Sequence, residues 1–367
     1  MKSVASAACT CLAIALLAPA ARSQAVRGNL VNRDSGRPIA GAIVGLQDST
    51  GTIVEQRLTY EPGGFLIQTA HPGTFRFQVL RIGFRPWYSD YFELRAGEQI
   101  VLSIRLRPEP VVLDELVAES DRCTTDPEAG TRTAQLLEEA RKAFLAAEAT
   151  MRGGDFRFRI MIFKHRLEPD LGHMVETRDS TSTLRVWPID AEPAESLDAH
   201  GFVRRLSHPD GPIYFGIDGG VLLSDTFLES HCFFLRSPKG DLEGRVGLVF
   251  RPAGFYLRPD VEGVFWVDAK TLAPHALEYW YVGLPPWVPK REAGGRFDFA
   301  ELPNAGWVIR RWWLRAPIPK VSRVRTNPRL FGYAIEGGEV VEMQSRSGTR
   351  LFDLRGAPLP ELPGVLP

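Results

Sequence analysis

The pattern in this 367-residue chain that most directly suggests chemistry is His173-Met174-Val175-Glu176. A His-x-x-Glu pair with a distant third histidine can hold a hydrolytic zinc and leave one coordination position open for water. His200, His208, His231 and His275 lie downstream. Two fixed positions in four residues arise easily by chance, however. The pair also sits in an alternating, strand-like run without an α/β catalytic domain around it. These residues are therefore expected to be surface or strand positions, with no metal, no cofactor and no catalytic residue assigned. His-Glu-x-x-His, Gly-x-Ser-x-Gly and Gly-x-x-x-x-Gly-Lys-Ser/Thr do not occur in the sequence.

Three other stretches combine reactive or sticky side chains. Asp218-Gly219-Gly220 could set a carboxylate in a pocket, but it reads as a turn. His231 beside Cys232 could activate a thiol; in an exported protein a structural cystine is expected instead. The run Trp307 to Arg315, with Lys320, Arg323 and Arg325 beyond, mixes bases and aromatics. Such a mixture can stack on bases, sugars or lipid headgroups, so Trp307, Arg311, Trp312 and Trp313 are the candidate ligand or partner contacts. Strict alternation would put Trp307, Ile309, Arg311 and Trp313 on one face and Val308, Arg310, Trp312 and Leu314 on the other. Both faces then carry apolar side chains, as in a strand packed on both sides.

The elements that must position these residues are mostly strands. Residues 1–24 read first as a secretory signal peptide: Lys2, an apolar run at 11–18, and small residues around Ala21-Arg22-Ser23 or Ser23-Gln24-Ala25. The run is far shorter than the roughly 20 residues of a spanning helix. Cys9 and Cys11 precede or open the run, which does not fit a lipoprotein. No later segment is long and apolar enough to span a membrane. The expected location is exported: periplasmic, outer-membrane-associated or secreted, with peripheral membrane contact left open. Removing Lys2 and Arg22 leaves 42 basic residues against 44 acidic ones, so bulk attraction to nucleic acid is not expected.

Residues 25–107 alternate with period two. Phe75, Phe77 and Val79 fall on one face with Arg76 and Gln78 on the other, and Ile100, Leu102, Ile104 and Leu106 likewise share a face. Asp34-Ser35-Gly36, Gly63-Gly64 and His71-Pro72-Gly73 punctuate the runs. Seven strands are expected, near 26–31, 42–47, 53–59, 64–69, 73–81, 88–94 and 98–106, forming a β-sandwich. A breaker-rich linker, 108–131, comes after it. A helix over 133–151 is next, with Leu137, Ala140, Phe144, Ala147 and Met151 as its apolar stripe, Thr133 as N-cap and Gly153-Gly154 as stop.

Beyond the helix the period returns to two, with strands expected near 156–162, 174–187, 245–251, 262–268, 276–282, 294–301, 307–315 and 332–342. The region 188–244 is less regular, and residues 346–367 form a Pro-rich tail. The fold class is mainly β: the sandwich, then an antiparallel meander or half-barrel with one long helix over 132–345.

Two resemblances emerge from these runs. Gly28, Ser35-Gly36-Arg37-Pro38-Ile39-Ala40-Gly41-Ala42, Gly64-Phe65, Pro72-Gly73-Thr74-Phe75 and Ile82-Gly83-Phe84 resemble the carboxypeptidase regulatory-like module, although Phe75 and Phe84 stand where tyrosine is usual. Leu113-Asp114-Glu115-Leu116-Val117 resembles the segment found after that module in outer-membrane TonB-dependent receptors. The resemblance implies a transthyretin-like sandwich that accompanies peptidases, receptors and carbohydrate-acting proteins without being catalytic. The run from Glu262 to Leu272, with Ala276-Leu277-Glu278-Tyr279 after it, resembles a hairpin of envelope proteins related to lipoprotein-sorting carriers. Those fold as a half-open barrel holding an acyl chain under a helix.

These readings favour a non-enzymatic exported envelope protein whose sandwich contacts a carbohydrate or another envelope protein. The alternative is a carrier or binding protein for an apolar ligand in the second domain, with a hydrolase third. A deep apolar cavity facing the helix would favour the carrier; a filled meander would favour the contact protein.

Of four cysteines only Cys123 and Cys232 lie beyond the signal. A disulfide between them is expected, since exported thiols meet an oxidising compartment. It would close 109 residue steps (232 − 123), for which chain entropy allows at most roughly 4–5 kcal/mol. The export reading predicts a mature N-terminus between Gln24 and Val26. N-terminal sequencing of protein from a secreting host checks it, and retention of Met1 would contradict it.

Overall fold

Period-two alternation produces the first core. A computed structural model describes residues 24–60, 62–107, 127–153, 156–170, 174–182, 191–204, 211–237, 243–254, 258–302, 306–320, 328–345 and 348–353. Strands β1 (Gln24–Asn32), β4 (Gly64–Thr69) and β8 (Gln99–Leu106) form one sheet in the order β4-β1-β8, with β1 and β8 parallel. β2 (Ile43–Asp48), β3 (Ile53–Leu58), β5 (Gly73–Leu80) and β6 (Trp87–Tyr88) form the facing sheet in the order β3-β2-β5-β6, and β7 (Phe92–Leu94) also pairs with β5. Val26, Leu30, Phe65 and Ile67 from one sheet meet Val44, Leu46, Phe75, Phe77 and Val79 from the other in a closed core. The sandwich has eight strands and not seven, because Ser89-Asp90-Tyr91 divides the expected sixth strand in two.

The helix, α1 (Pro127–Arg152), begins six residues before its expected start, inside the expected linker. Proline suits a first helical turn, where its missing N–H has no partner to lose. Thr133 is accordingly a buried interior residue and not the cap. The buried surface of α1 is wider than a single stripe, taking in Leu136, Ala140, Ala143, Phe144, Ala146, Ala147 and Met151. The reason is that α1 packs against both parts of the chain. Ile43, Leu58 and Leu80 of the sandwich join the same core cluster as α1 and the second sheet.

That second sheet is antiparallel throughout and open. Its strands are β9 (Phe156–Leu167), β10 (Met174–Ser182), β13 (His231–Arg236), β14 (Arg245–Pro252), β15 (Asp260–Asp268), β16 (Pro274–Val282), β17 (Gly294–Glu301), β18 (Trp307–Lys320) and β19 (Arg329–Ser345). Their order is β10-β9-β19-β18-β17-β16-β15-β14-β13, and β20 (Arg350–Asp353) also pairs with β19. The expected strand at 174–187 is described only to Ser182. β13 lies in the region expected to be irregular, and β20 lies in the expected tail. Between β10 and β13 come α2 (Ala194–His200), the hairpin of β11 (Val203–Arg204) and β12 (Ile213–Tyr214), α3 (Gly219–Leu222) and α4 (Asp225–Ser230). Among the described residues no helix is long and apolar enough to cross a membrane.

Side chains alternate across this sheet. Val261, Phe265, Val267, Leu277, Tyr279, Tyr281, Phe297 and Phe299 join the α1 core. Val264, Trp266, Ala276 and Trp280 join a second cluster with Phe163, Trp313, Tyr333 and Ile335. The β15–β16 turn that carries the carrier resemblance is an Asx turn. Asp268 Oδ1 accepts from the Lys270 N–H (2.9 Å), the Thr271 N–H (2.7 Å) and the Thr271 hydroxyl (2.9 Å). The Thr271 N–H bond is the largest influence holding the Asp268 carboxyl below its usual range. Leu272 then takes φ 58 with its side chain in the core.

The sandwich meets α1 through polar groups shut off from water. Glu139 and Lys142 are each 1% exposed and pair with one another. Lys142 Nζ also donates to the Phe84 carbonyl (2.6 Å) and the Arg81 carbonyl (3.3 Å), while Glu139 accepts from the Gly83 N–H (2.7 Å). Gly83 has φ +79, and a Cβ there would stand 2.7 Å from the Thr271 carbonyl oxygen, so only glycine fits this approach. Glu139→Gln should cost about 3–5 kcal/mol, because Lys142 stays buried without its counter-charge. The double replacement Glu139→Leu with Lys142→Met should cost less than that single change. Urea midpoints measure both; additive losses below about 1 kcal/mol would show that the pair is not coupled.

Candidate functional site

The apolar inner side of the open sheet is filled where α1 lies on it. Phe144 packs at 5.2 Å on Phe299 and 6.0 Å on Phe265, ring centre to ring centre. The space that the carrier alternative would place under the helix is therefore occupied at these rings. Farther along β9, β18 and β19, past the part of these strands that packs on α1, residues 191–192 and 212–216 form the cover, and there a cavity of about 550 Å³ remains. Ile162 and Lys164 come from β9, Trp312, Leu314 and Ala316 from β18, and Ala334 and Glu336 from β19; Glu192, Pro212, Tyr214 and Phe215 form the cover.

Local sequence explains why the space is open. Ala316 and Ala334 are direct cross-strand partners, so two methyl groups stand where larger side chains would fill the volume. Trp312 pairs with Gly338, and a Cβ at Gly338 would come within 2.4 Å of the indole. The glycine lets the ring lie against the sheet, where it becomes part of the cavity wall.

The polar groups at the cavity are few. Tyr214 packs edge-on against Tyr281 at 5.1 Å. The Tyr281 hydroxyl donates to the Phe215 carbonyl at 2.8 Å. The Tyr214 hydroxyl is buried and has no hydrogen-bond partner among the described residues, and burial pushes its phenol well above the usual range. At the rim Lys164 pairs with Glu336 at 2.9 Å, and Arg204 pairs with Glu192 at 2.9 Å while lying over the Phe215 ring at 4.4 Å. Hydrogen bonds from Ser196 and then Arg204 hold the Glu192 carboxyl below its usual range. The interior is apolar with one unsatisfied hydroxyl, and the rim carries balanced charge. Such a site can seat an apolar body and bond one polar group, while its charged side chains, Lys164, Glu336 and Glu192, are held in ion pairs at the rim.

The four candidate contacts are not brought together. Trp307, Trp312 and Trp313 are 8%, 5% and 1% exposed, and Arg311 is half-buried. Trp307 and Trp312 belong to the α1 core, Trp313 to the opposite face, and of the four only Trp312 lines the cavity. Strict alternation fails because the β17–β18 register shifts, Asp298 pairing with Arg311 and Phe299 with Ile309. A bulge of this kind inserts one residue and reverses the faces beyond it, so Trp307 and Ile309 share a core with Trp312. Arg311 pairs instead with Asp298 at 3.0 Å.

The expected chemistries also resolve. His173 and His208 lie outside the described residues, as does the Glu176 side chain. His200, on α2, bonds the Ser196 carbonyl (3.0 Å), and His275 lies on β16, its imidazole lowered by burial and then by Arg245. Among the described residues no group of three or more His, Cys, Asp or Glu could hold a metal ion. Asp218 caps α3, its Oδ1 accepting from the Val221 N–H at 2.9 Å.

One trio does converge in a hollow of about 280 Å³: Ser230, His231 and Asp260. Ser230 Oγ lies 3.1 Å from His231 Nδ1, and Asp260 lies 3.4 Å from Nε2. But Nδ1 is also 3.1 Å from the Phe227 carbonyl and Nε2 is 3.2 Å from the Val261 carbonyl. The ring stacks on Phe227 at 3.7 Å, and Ser230 donates to the Thr226 carbonyl. In either neutral tautomer one ring nitrogen can donate to a backbone carbonyl, Phe227 on α4 or Val261 on β15, and the Ser230 hydroxyl proton is directed at the Thr226 carbonyl and not at the imidazole. Cys232 beside it is disulfide-bonded, so it is not an activated thiol; Cys123 lies outside the described residues.

Residues 25–107 match the carboxypeptidase regulatory-like domain family. No curated protein matches the chain. Similar solved structures include a LolA superfamily protein from Nitrosomonas europaea, 12% identical, covering 58% of this chain and 93% of that one at a TM-score of 0.26. A DUF3823 family protein from Bacteroides uniformis is 10% identical, covering 64% of this chain and 92% of that one at 0.20. The minor pilin GBS52 of Streptococcus agalactiae is 11% identical over 26% of this chain at 0.19, and the match spans 48% of the pilin.

Proposed function

We propose, from a carboxypeptidase regulatory-like domain packed on an open antiparallel sheet with a cavity, that this chain is a non-enzymatic binding protein of the bacterial envelope. The sheet takes the apolar part of a ligand, and the sandwich makes the contact with a carbohydrate or protein partner. The observation that carries this reading is the cavity walled by Ile162, Trp312, Leu314 and Tyr214, beyond the part of β9 and β18 that packs on α1. Its volume falls within the roughly 300–1,000 Å³ of small-molecule sites, and its apolar walls with one polar anchor match their usual chemistry. The His231 cluster, in which the Ser230 hydroxyl donates to the Thr226 carbonyl, supports the non-enzymatic part. Export rests on the leader reading of residues 1–24.

A fluorescent long-chain fatty acid tests the cavity. Titration of the full mature chain should give saturable binding with quenching of tryptophan emission. Ala334→Trp, which fills the space opposite Ala316, should weaken binding by about tenfold or more, equivalent to roughly 1.4 kcal/mol. Arg105→Gln on the sandwich should leave binding unchanged. Non-saturable uptake, or equal affinity in Ala334→Trp, would remove the cavity as the site.

The Cys123–Cys232 bond belongs to the same reading, since it would tie the chain before α1 to β13. Peptide mapping without reductant should recover one cross-linked pair containing both cysteines. Two free thiols in unreduced, denatured protein would exclude the bond.

A further inference from the structure

The sandwich carries an exposed aromatic–guanidinium platform that neither of its cores nor its junction with α1 uses. Arg76 projects from β5 on the side opposite Phe75 and Phe77. Its guanidinium carbon lies 4.7 Å from the centre of the Tyr88 ring and 5.2 Å from that of Tyr91. Both rings are large exposed surfaces, at 44% and 49%. Exposed aromatic rings flanking a cation are not needed to hold this sheet, whose core is complete on its other face.

The arginine is fixed from behind. Its Nε donates to Gln47 Oε1 at 2.6 Å, and Gln47 Nε2 in turn donates to the Gly51 carbonyl at 2.6 Å. Gln47 is buried, so this second contact is rigid. Tyr88 is held in the same way by Gln78, whose Nε2 donates to its hydroxyl at 3.0 Å. The two terminal guanidinium nitrogens of Arg76 have no acceptor among the described residues. Nor does any carboxylate among them lie within ion-pair distance of Arg76; of the two in the adjoining segment, Glu93 is paired with Arg95 at 3.9 Å and Asp90 makes no pair with Arg76. Several arginines elsewhere on the surface have found a carboxylate, including Arg57, Arg107 and Arg159.

We propose that Arg76, Tyr88 and Tyr91 form a binding platform for an acidic polysaccharide, whose uronate carboxylate is held by the free side of the Arg76 fork. A planar guanidinium presents two parallel N–H donors to a carboxylate, and such charge-assisted bonds are the strong ones. The apolar faces of the two rings offer flat surfaces for the C–H faces of the flanking sugars, and rings fixed in advance lose little freedom on binding. An apolar peptide would leave the guanidinium unpaired, and a small free anion would leave the rings unused. This specifies the contact assigned to the sandwich above, and it stands whether or not the cavity takes a ligand.

Affinity electrophoresis of the full mature chain in gels containing polygalacturonate tests it, with dextran gels and anionic phospholipid vesicles as parallel arms. Retardation is expected in polygalacturonate and not in dextran, and it should weaken as salt rises. Arg76→Gln, which keeps a planar amide, should weaken binding by about tenfold, as loss of a hydrogen-bonded charge pair does. Tyr91→Ser, at an exposed position outside the core, should weaken it independently, while Ala334→Trp should not change it. Equal retardation in dextran, binding to vesicles in preference to the polysaccharide, no retardation, or retardation indifferent to both platform substitutions would each overturn the proposal.

Discussion

A glutamate and a lysine one turn apart on α1, both closed off from solvent, hold the sandwich against the helix. Their desolvation would be costly if they met only each other. Here each also bonds the backbone of the loop after β5, so the loop's own polar groups at Arg81, Gly83 and Phe84 are satisfied by the same pair. Gly83 brings that loop against Thr271, the residue that closes the β15–β16 turn. One cluster of polar contacts thus fixes three things at once: the sandwich, the helix and the centre of the open sheet. The apolar contacts of Ile43, Leu58 and Leu80 with the helix core are set by that placement.

An open sheet this wide exposes two faces, and the chain covers each differently. The inner face is covered by α1 and by residues 191–204 and 211–230. The outer face holds Trp266, Trp280, Trp313 and Tyr333 with no second layer of regular structure over it in the described residues. Arginines lie over these rings: Arg291 on Trp280 at 5.0 Å, Arg251 on Phe234 at 4.9 Å, and Arg315 on Tyr333 at 5.7 Å. Arg296 pairs with Glu278 and Asp298, and Arg311 with Asp298. Long arginine stems bury apolar surface beneath their charged heads, so the sheet can be aromatic on both faces.

Much of this was legible in the residues. Alternation located most strands, because period two is a local property of each run. The Asp268-x-x-Thr271 turn was legible because its hydrogen bonds join near neighbours. The features that escaped depend on partners distant in sequence. The bulge that reverses the faces of β18 arises from pairing with β17, and nothing in Trp307 to Arg315 alone announces it. β13 was hidden by its position after two short helices. The cavity was missed for the same reason: Ala316, Ala334 and Gly338 are ordinary small residues until the β18–β19 register sets them opposite one another and opposite Trp312. Tyr214 carried no signal, since its burial is created by Tyr281 and the sheet beneath it.

The Tyr214 hydroxyl is one of a few buried polar groups, with the Tyr279 hydroxyl and the Trp280 indole N–H, that have no hydrogen-bond partner among the described residues, and it is the one that stands beside open volume. A buried hydroxyl without a partner costs about 1–3 kcal/mol, and folded chains seldom leave one unless something else offsets it. The neighbouring phenol at Tyr281 shows that the local backbone can supply an acceptor, since it bonds Phe215. Filling the cavity would need only larger residues than Ala316 and Ala334, and the core beside α1 is filled in that way with phenylalanines. Open volume and an unmet hydroxyl therefore occur together at Tyr214. A ligand whose apolar body lies against Trp312 and whose polar group reaches Tyr214 would remove both deficits in one step.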